Sequence, residues 1–187
     1  MSDKKDTRAP LTRLAQAGRR TLLIDADLRK PKGHGIFNIP QEPGLSNLLV
    51  GEAKASACVR KSPTSELWVL PAGRVPPNPA ELLGSQRFKD FLNSLKTHFE
   101  WVVIDSPPVM AVADASVIAH IVTGSVFVIG AEMTSRHAAK RAVEQLQSSQ
   151  GAFFGAVLNR VDLARNAYYY SQYYRREYTA YYVTQGD

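Results

Sequence analysis

The chain has 187 residues and a hydrophobic content of 44%, which is enough for one globular domain with a core. It has no run of 18 apolar residues and no signal-peptide pattern, and its single cysteine, Cys58, excludes an internal disulfide framework, so we expect a protein of the reducing cytoplasm. The net charge is +6, and residues 1–32 carry a basic excess. Such an excess can attract nucleic acid, anionic lipid or nucleotide phosphate, or it can be an ordinary solvated surface. The sequence contains no nucleic-acid-binding signature.

The first predicted element is a helix rather than a strand. Residues 1–10 are predicted to be a disordered N-terminus. Leu11–Ala17 has helical character, ends at Gly18 and leads directly into the β-rich run Thr21–Ala26. Because a doubly wound sheet usually begins with a strand, this order indicates that an element upstream of Leu11 is missing.

Apolar β-rich runs alternate with helical patterns along the rest of the chain. The further runs are Leu67–Leu70, Trp101–Asp105, Ser125–Ala131 and Phe153–Asn159. Apolar residues repeat at helical spacing in residues 88–95 and 139–146. Pro79 is predicted to open the first of these helices, and Ser135 or Thr134 to cap the second. The alternation predicts an α/β fold with a mainly parallel, doubly wound sheet.

Two aspartates stand at the end of the first predicted strand. Asp25 and Asp27 lie in the segment IDADLRKP, at a carboxyl strand end where α/β sheets bind ligands, and alternation predicts that both point to one side of the strand. Such a pair suits a hydrated Mg²⁺, or one of them can accept a proton from a hydroxyl nucleophile. The alternative is that the two carboxylates cap the next helix or pair with Arg29.

A third aspartate ends another apolar run, in the segment FEWVVIDSPP. Asp105 follows four apolar residues, as the Walker B aspartate that supports Mg²⁺ does in nucleotide-binding proteins. The proline pair after Ser106 predicts an extended exit from the strand. We therefore expect Asp25, Asp27 and Asp105 to cluster at the carboxyl edge of the sheet.

All eight tyrosines of the chain lie between Tyr168 and Tyr182. The segment has no helical or strand period and no aliphatic anchors, so residues 164–187 are predicted to be a flexible tyrosine-rich tail. Two alternatives are an aromatic segment that packs on a partner and a tail that stacks on nucleic acid.

Four segments in order carry a family resemblance: LAQAGRRTLLIDADLRKP, GLSNLLVG, LPAGRVPPNPAELLGSQRF and FEWVVIDSPPVMAVADA. Together with the tyrosine cluster they resemble the cytoplasmic ATP-binding domain of bacterial tyrosine kinases of the capsule and exopolysaccharide type. MinD- and ParA-like ATPases share the two aspartate-bearing strands, but they lack the PPNPAELL segment and the tyrosine tail. The resemblance implies a P-loop NTPase fold of MinD/ParA-like type over residues 11–163.

The resemblance also implies roles for single residues. Asp25 and Asp27 match the acids of the family's second Walker motif, which serve Mg²⁺ and the activation of a tyrosine hydroxyl, and Asp105 matches the Walker B metal aspartate. Arg29 is expected near the phosphates or at a subunit contact, and Asn159 where related ATPases contact adenine. The implied autophosphorylation sites are Tyr168, Tyr169, Tyr170, Tyr173, Tyr174, Tyr178, Tyr181 and Tyr182.

The family's cofactors and partners follow from the same resemblance. It implies ATP and Mg²⁺ as cofactors, and control of polysaccharide polymerisation and export at the inner face of the cell membrane. The implied partners are a membrane-embedded polysaccharide co-polymerase or its cytoplasmic segment, further copies of the chain in a ring, and a cognate tyrosine phosphatase; no nucleic acid is expected.

The sequence departs from the family at the P-loop, Gly-x-x-x-x-Gly-Lys-Ser/Thr, because it contains no Gly-Lys dipeptide. The family's first strand and P-loop are therefore expected to be missing, through truncation or degeneration, and ATP–Mg²⁺ binding is expected to be weak. Two other functions stay open: a non-catalytic phospho-acceptor and assembly subunit of a kinase ring, and a MinD-like positioning ATPase.

Overall fold

The computed structural model describes residues 9–64 and 66–162, with side chains from residue 13 onward. The predicted disordered N-terminus lies mostly outside the described residues, and the predicted tyrosine-rich tail lies wholly outside them. The eight implied phosphorylation sites are therefore also outside the described part of the chain, and they stay a prediction.

The described residues form eight helices and six strands. The strands are β1 Thr21–Asp25, β2 Arg60–Lys61, β3 Leu67–Leu70, β4 Trp101–Asp105, β5 Ser125–Gly130 and β6 Phe153–Asn159. The helices are α1 Ala9–Gln16, α2 Gly33–Phe37, α3 Leu45–Val50, α4 Ala55–Cys58, α5 Pro79–Gly84, α6 Gln86–Leu95, α7 Asp114–Ile121 and α8 Arg136–Ser148.

The strands form two sheets. The first has four strands in the order β2-β3-β1-β4, in which β1 is parallel to both of its neighbours and β2 is antiparallel to β3. The second consists of the parallel strands β5 and β6, which pair with no other strand among the described residues. The mainly parallel α/β fold is confirmed, but the described strands form two sheets where the sequence predicts one.

The core is built around β1, because every residue of this strand is buried. Leu22 and Ile24 pack in one cluster with apolar residues of the surrounding helices, among them Leu45, Leu83 and Phe88, all of which are fully buried. The nearly continuous apolar sequence of β1 is what a parallel strand covered on both faces requires. A smaller cluster holds α7 and α8 against β5 and β6. None of the helices in the described part of the chain is long and apolar enough to cross a membrane.

One predicted helix start is wrong. Pro79 opens the short helix α5, whereas the helix with the apolar repeat, α6, begins after Ser85, whose hydroxyl accepts a hydrogen bond from the Phe88 N–H at 3.2 Å. A serine N-cap supplies an acceptor to an otherwise unpaired helix N–H, so Ser85 separates two helices where the spacing predicts one. The predicted Ser135 cap of α8 is confirmed, since its hydroxyl accepts from the Ala138 N–H.

Candidate functional site: a carboxylate edge

The sheet brings the predicted aspartates to one edge. Strands β1 and β4 are adjacent and parallel, and their register sets Asp25 directly opposite Asp105. The Ala26 N–H donates to the Asp105 carbonyl at 2.8 Å, which ties the exits of the two strands together. Asp27 follows two residues after Asp25. We call Asp25, Asp27 and Asp105 the carboxylate edge, and their placement at the carboxyl ends of the strands is the one that the sequence predicts.

Asp25 is the buried member of the carboxylate edge, at 2% exposure. Its Oδ1 accepts a hydrogen bond from the Asp27 N–H at 3.2 Å, and its Oδ2 accepts one from the Gly33 N–H at 2.8 Å. Burial raises the pKa of Asp25, and these backbone donors act against that rise. Because both oxygens accept backbone hydrogen bonds, Asp25 holds the loop between β1 and α2 in place.

Asp27 is oriented by a turn rather than by a strand. Strand β1 ends at Asp25, so the predicted alternation does not decide the direction of Asp27. Its Oδ1 accepts hydrogen bonds from the Arg29 N–H at 3.2 Å and the Lys30 N–H at 3.0 Å, in the manner of an Asx turn. Its Oδ2 accepts no hydrogen bond from the described residues and is available to a ligand.

The negative charge of Asp105 is the least stabilised of the three, because its side-chain carboxylate accepts no hydrogen bond from the described residues. The residue is exposed at the end of β4, yet the protein around the carboxyl group and the charges of Asp25 and Asp27 raise its pKa to about 6. A bound cation would reverse this effect. Asp105 is therefore the member of the edge best suited to hold a metal ion.

The fit of the carboxylate edge to Mg²⁺ is limited to two ligands. The described residues contain no group of three or more His, Cys, Asp or Glu side chains arranged to hold a metal. Mg²⁺ is commonly held by one or two carboxylates and keeps water or phosphate oxygens at its other positions. Free oxygens on Asp27 and Asp105 fit that pattern, whereas Asp25 has no free oxygen to offer.

Arg29 lies against a residue that the sequence does not single out as a site. Its Nε and Nη2 donate to the two carboxylate oxygens of Asp114 at 2.8 and 3.0 Å. Asp114, the first residue of α7, is fully buried, whereas the Arg29 side chain is 41% exposed. This bidentate pair fixes the loop that carries Asp27 to helix α7.

Asn159 ends β6, where it pairs with Gly130 of β5. Its side-chain Oδ1 accepts a hydrogen bond from the Arg160 N–H at 2.8 Å, and its side-chain nitrogen donates to no described residue. It lies on the second sheet, and among the described residues it makes no hydrogen bond with the carboxylate edge.

Two contacts that shape the edge have no signal in the sequence. Asp114 pairs with a residue 85 positions away, and no spacing rule links the two. Gly33 lies so close to Asp25 that an added Cβ would be 2.7 Å from Oδ2.

A separate cavity of about 580 Å³ is lined by residues of α3, α4 and α6 and by the α3–α4 loop, and no member of the carboxylate edge lines it.

Removal of the Asp105 charge should stabilise the protein at neutral pH. A carboxyl whose pKa is raised on folding holds a proton that the unfolded chain has already released, so its contribution to stability falls as the pH rises from about 4 through about 6. We expect Asp105→Asn to raise the free energy of unfolding by roughly 1 kcal/mol at pH 7.5, after a discount for solvent screening, and to change it little at pH 4.

Urea denaturation at the two pH values measures this difference. Asp90→Asn is the matched control, because Asp90 is an exposed aspartate of α6 away from the edge. A loss of stability in Asp105→Asn at pH 7.5, or an equal gain at both pH values, would contradict the raised pKa.

Known proteins resemble this chain over most of its length. A family model described as an AAA domain matches residues 9–150. CapB of Staphylococcus aureus is 43% identical to the chain over 159 residues, which cover 85% of the chain and 70% of CapB. The tyrosine-protein kinase YwqD of Bacillus subtilis is 37% identical over 155 residues, which cover 83% of the chain and 65% of YwqD. The chain thus spans about two thirds of the length of these relatives.

Solved structures show the same likeness. The crystal structure of the chimerical protein CapA2B2 matches with a TM-score of 0.78 and 35% identity, over 80% of the chain and 66% of that protein. The cell division ATPase MinD of Pyrococcus furiosus matches with a TM-score of 0.66 over 81% of the chain and 65% of MinD; at 22% identity, this likeness concerns the fold alone. The predicted MinD-like fold is confirmed.

Proposed function

The chain belongs to the family of bacterial tyrosine-protein kinases, and on that premise we propose that its carboxylate edge is the metal-binding half of an ATP-dependent tyrosine kinase site. The proposed role is control of capsule or exopolysaccharide polymerisation and export. One observation carries the proposal: Asp105 stands opposite Asp25 on adjacent parallel strands with its carboxylate uncompensated.

The three aspartates have different proposed roles at this site. Asp105 and the free oxygen of Asp27 are the ligands for Mg²⁺. Asp25 positions Asp27, because its Oδ1 accepts the Asp27 N–H and its Oδ2 anchors the following loop at Gly33. When bound, ATP with Mg²⁺ supplies the phosphoryl group and the positive charge that offsets the charge developing on it during transfer.

A proton acceptor for the tyrosine hydroxyl is also required. The free Oδ2 of Asp27 and the Asp105 carboxylate are the two candidates at the edge, and a pKa of about 6 suits Asp105 to proton transfer near neutral pH. Metal binding to Asp105 would lower that pKa, and Asp27 Oδ2 would then be the proton acceptor only in a state in which it is not itself a ligand of the metal ion.

Arg29 and Asn159 would bind other parts of the nucleotide. The pair with Asp114 satisfies two of the donors of Arg29, and the exposed remainder of its guanidinium is available to a phosphate or to a neighbouring subunit. The side-chain nitrogen of Asn159 is available to adenine. Both assignments rest on the family resemblance together with these unpaired donors.

The phosphate-binding half of such a site needs glycine-rich backbone donors and a lysine, and the sequence has no Gly-Lys dipeptide. We therefore expect the chain by itself to bind ATP–Mg²⁺ weakly. The partners proposed from the family are a membrane-embedded co-polymerase or its cytoplasmic segment, further copies in a ring, and a tyrosine phosphatase, all at the inner face of the membrane.

Mn²⁺, a paramagnetic substitute for Mg²⁺, tests the metal half of the proposal directly. We expect Mn²⁺ to broaden the backbone NMR signals of residues 25–30 and 104–107 before others, because these residues surround Asp27 and Asp105. Asp105→Asn should weaken this effect at least about tenfold, since one of two charged ligands is lost.

The control for the Mn²⁺ experiment is Asp90→Asn, which should bind as the parent chain does. Broadening that starts elsewhere, or that is the same in Asp105→Asn, would exclude the carboxylate edge as the metal site.

A further inference from the structure

One side of helix α8 is basic. The buried residues of this helix, Ala142 and Leu146, pack in the small cluster that includes Phe127 and Phe153. Because a helix turns once in about 3.6 residues, the side opposite Ala142 and Leu146 points away from the strands on which α8 packs. That side is exposed. We call its basic members the basic face: Arg136, His137, Lys140 and Arg141.

The positive charges of the basic face are largely unpaired. Lys140 Nζ lies 3.9 Å from Glu144 Oε1 in an exposed pair, whereas Arg136 and Arg141 have no hydrogen-bond or ion-pair partner among the described residues. Arg136 and Lys140 are one turn apart, a spacing at which like charges destabilise a helix. Arg136 also lies in the first turn of α8, near the positive end of the helix dipole. An anionic partner would offset both effects.

The chain leaves β6 beside the start of this helix. The Ala131 N–H donates to the Asn159 carbonyl at 2.8 Å, and Arg160 Nη1 donates to Met133 Sδ at 3.0 Å. Met133 precedes the first residue of α8 by three positions. The residues that follow β6 in the sequence therefore start next to the connection that opens α8.

The segment formed by residues 164–187 is long enough to reach the basic face. An extended chain spans about 3.3 Å per residue, so Tyr168 can lie up to about 20 Å from Asp162. The basic face is about 8 Å long from Arg136 to Arg141. Attachment to the same chain gives the segment an effective concentration on the order of 1 mM, so contacts that are weak between separate molecules suffice within one.

Phosphate on its tyrosines would reverse the charge of this segment. It contains three arginines against two acidic residues, Glu177 and Asp187, so the charge of its side chains is 3 − 2 = +1. Each phosphate adds about −1.5 to −2, so three phosphotyrosines bring the segment to about −4. Arginine side chains bind phosphate oxygens through paired hydrogen bonds. Only the phosphorylated segment is therefore complementary to the basic face.

The composition of α8 favours a charged peptide over a membrane as the partner. Helices that bind the surface of a bilayer expose large apolar side chains beside their basic residues. Every exposed residue of α8 is polar or charged, and its apolar residues are buried or half-buried. A phosphopeptide needs only the charges and the donors that the basic face offers.

We propose that the basic face binds residues 164–187 of its own chain once their tyrosines carry phosphate, with Arg136 and Arg141 as the main phosphate ligands. The inference rests on the proposed kinase function, because it takes these tyrosines to be phosphorylated. Phosphorylation then moves the segment onto α8 and withdraws it from other partners.

Synthetic peptides test the basic face without phosphate transfer by the chain. The probe is residues 164–187 with a fluorescein label and phosphate on Tyr168, Tyr169 and Tyr170, and the same peptide without phosphate is its control. Fluorescence anisotropy follows binding to the whole chain. The double variant Arg136→Gln/Arg141→Gln removes two charges from the face. The matched control, Arg87→Gln/Lys96→Gln, removes two exposed charges elsewhere, and circular dichroism shows that both variants are folded.

We expect saturable binding of the phosphopeptide and at least about tenfold weaker binding of the unphosphorylated peptide. Arg136→Gln/Arg141→Gln should weaken phosphopeptide binding at least about tenfold, whereas the control variant should change it less than about twofold.

A whole chain phosphorylated beforehand by an added tyrosine kinase tests whether the segment binds its own α8. Such a chain should bind the phosphopeptide at least about tenfold more weakly than the unmodified chain, because its own segment occupies the face. It should form no larger assemblies than the unmodified chain in sedimentation velocity.

Three results would overturn the proposal. Equal binding of the two peptides, or an equal loss in the two double variants, would exclude the basic face as a phosphate-binding surface. Undiminished phosphopeptide binding to the phosphorylated chain, or larger assemblies of that chain, would exclude its own segment as the occupant. Binding to phosphatidylserine vesicles that requires Arg136 and Arg141, and that the phosphopeptide does not displace, would assign the face to a membrane. Failure of the kinase function appears separately, as the absence of phosphate transfer, because the peptides carry synthetic phosphate.

Discussion

Gly44→Ala should lower the free energy of unfolding by about 3 kcal/mol, because there is no room for a side chain at this position. A Cβ on Gly44 would overlap the Gly73 nitrogen and the Pro71 carbonyl oxygen and would lie 2.6 Å from the Gly73 Cα. These neighbours are backbone atoms, which cannot rotate away. They are also held in place by hydrogen bonds, since the Leu45 N–H donates to the Pro71 carbonyl at 2.8 Å.

The matched control is Gly35→Ala, in helix α2. An added Cβ at Gly35 meets no atom within 4 Å, and alanine has the higher helix propensity, so we expect a gain of up to about 1 kcal/mol. Urea denaturation of both variants gives the comparison. If the two substitutions had equal effects, the close approach of residues 44 and 73 would be wrong.

Asp114→Ala should lower the free energy of unfolding by about 2 kcal/mol. It removes two charge-assisted hydrogen bonds at 2.8 and 3.0 Å from a fully buried position, and it leaves a cavity at the start of α7. The half-exposed Arg29 can then turn to water, which limits the loss. Because Arg29 would no longer be anchored, the turn that orients Asp27 should loosen, and the proposed Mn²⁺ site should weaken in the same variant.

Glu144→Ala is the control for the loss of an ion pair. Lys140 and Glu144 form an exposed pair at 3.9 Å on α8, and such pairs contribute at most about 0.5 kcal/mol. Denaturation measures stability, and the Mn²⁺ titration measures the site. Unchanged metal binding in a destabilised Asp114→Ala variant would show that Asp114 supports the fold but does not position Asp27.

Strands with nearly continuous apolar sequences could be predicted, because packing in the core decides their composition. Strands β3, β4 and β6 begin and end at the predicted residues, since each is a run of mostly apolar residues between polar or turn-forming neighbours. Strand β2 could not be predicted, because it has two residues and both are basic. The helices α2–α5 have four to six residues each, too few for a periodic pattern to show.

The carboxylate edge was predictable in its position but not in its internal arrangement. Carboxyl ends of parallel strands converge, so the sequence suffices to bring Asp25 and Asp105 together. The different roles of Asp25 and Asp105 depend on which of them receives backbone donors, and those donors come from Asp27 and from Gly33, eight residues after Asp25. Loop conformation decides that arrangement, and no local pattern predicts it.

Similarly, the division of the strands into two sheets has no sequence signal. Strands β5 and β6 have the apolar character expected of strands in the interior of a sheet, as β1 does. Pairing depends on which strand lies beside them, which is a property of the assembled fold. Sequence patterns identify strands but do not decide which strands pair.

The central claim is that the carboxylate edge forms the metal-binding half of a tyrosine kinase site. Phosphate transfer, measured in a chain to which the phosphate-binding loop has been added, tests this claim. The protein for this measurement is the chain with a strand and a Gly-x-x-x-x-Gly-Lys-Ser/Thr loop of the kinase family fused ahead of Leu11. We expect this fusion to transfer phosphate from ATP to tyrosines between Tyr168 and Tyr182, and the chain alone to show no measurable transfer. In the fusion, Asp105→Asn should lower the rate by about 100-fold, and Asp90→Asn should leave it unchanged. A fusion that is equally active with and without the Asp105 carboxylate would contradict the account.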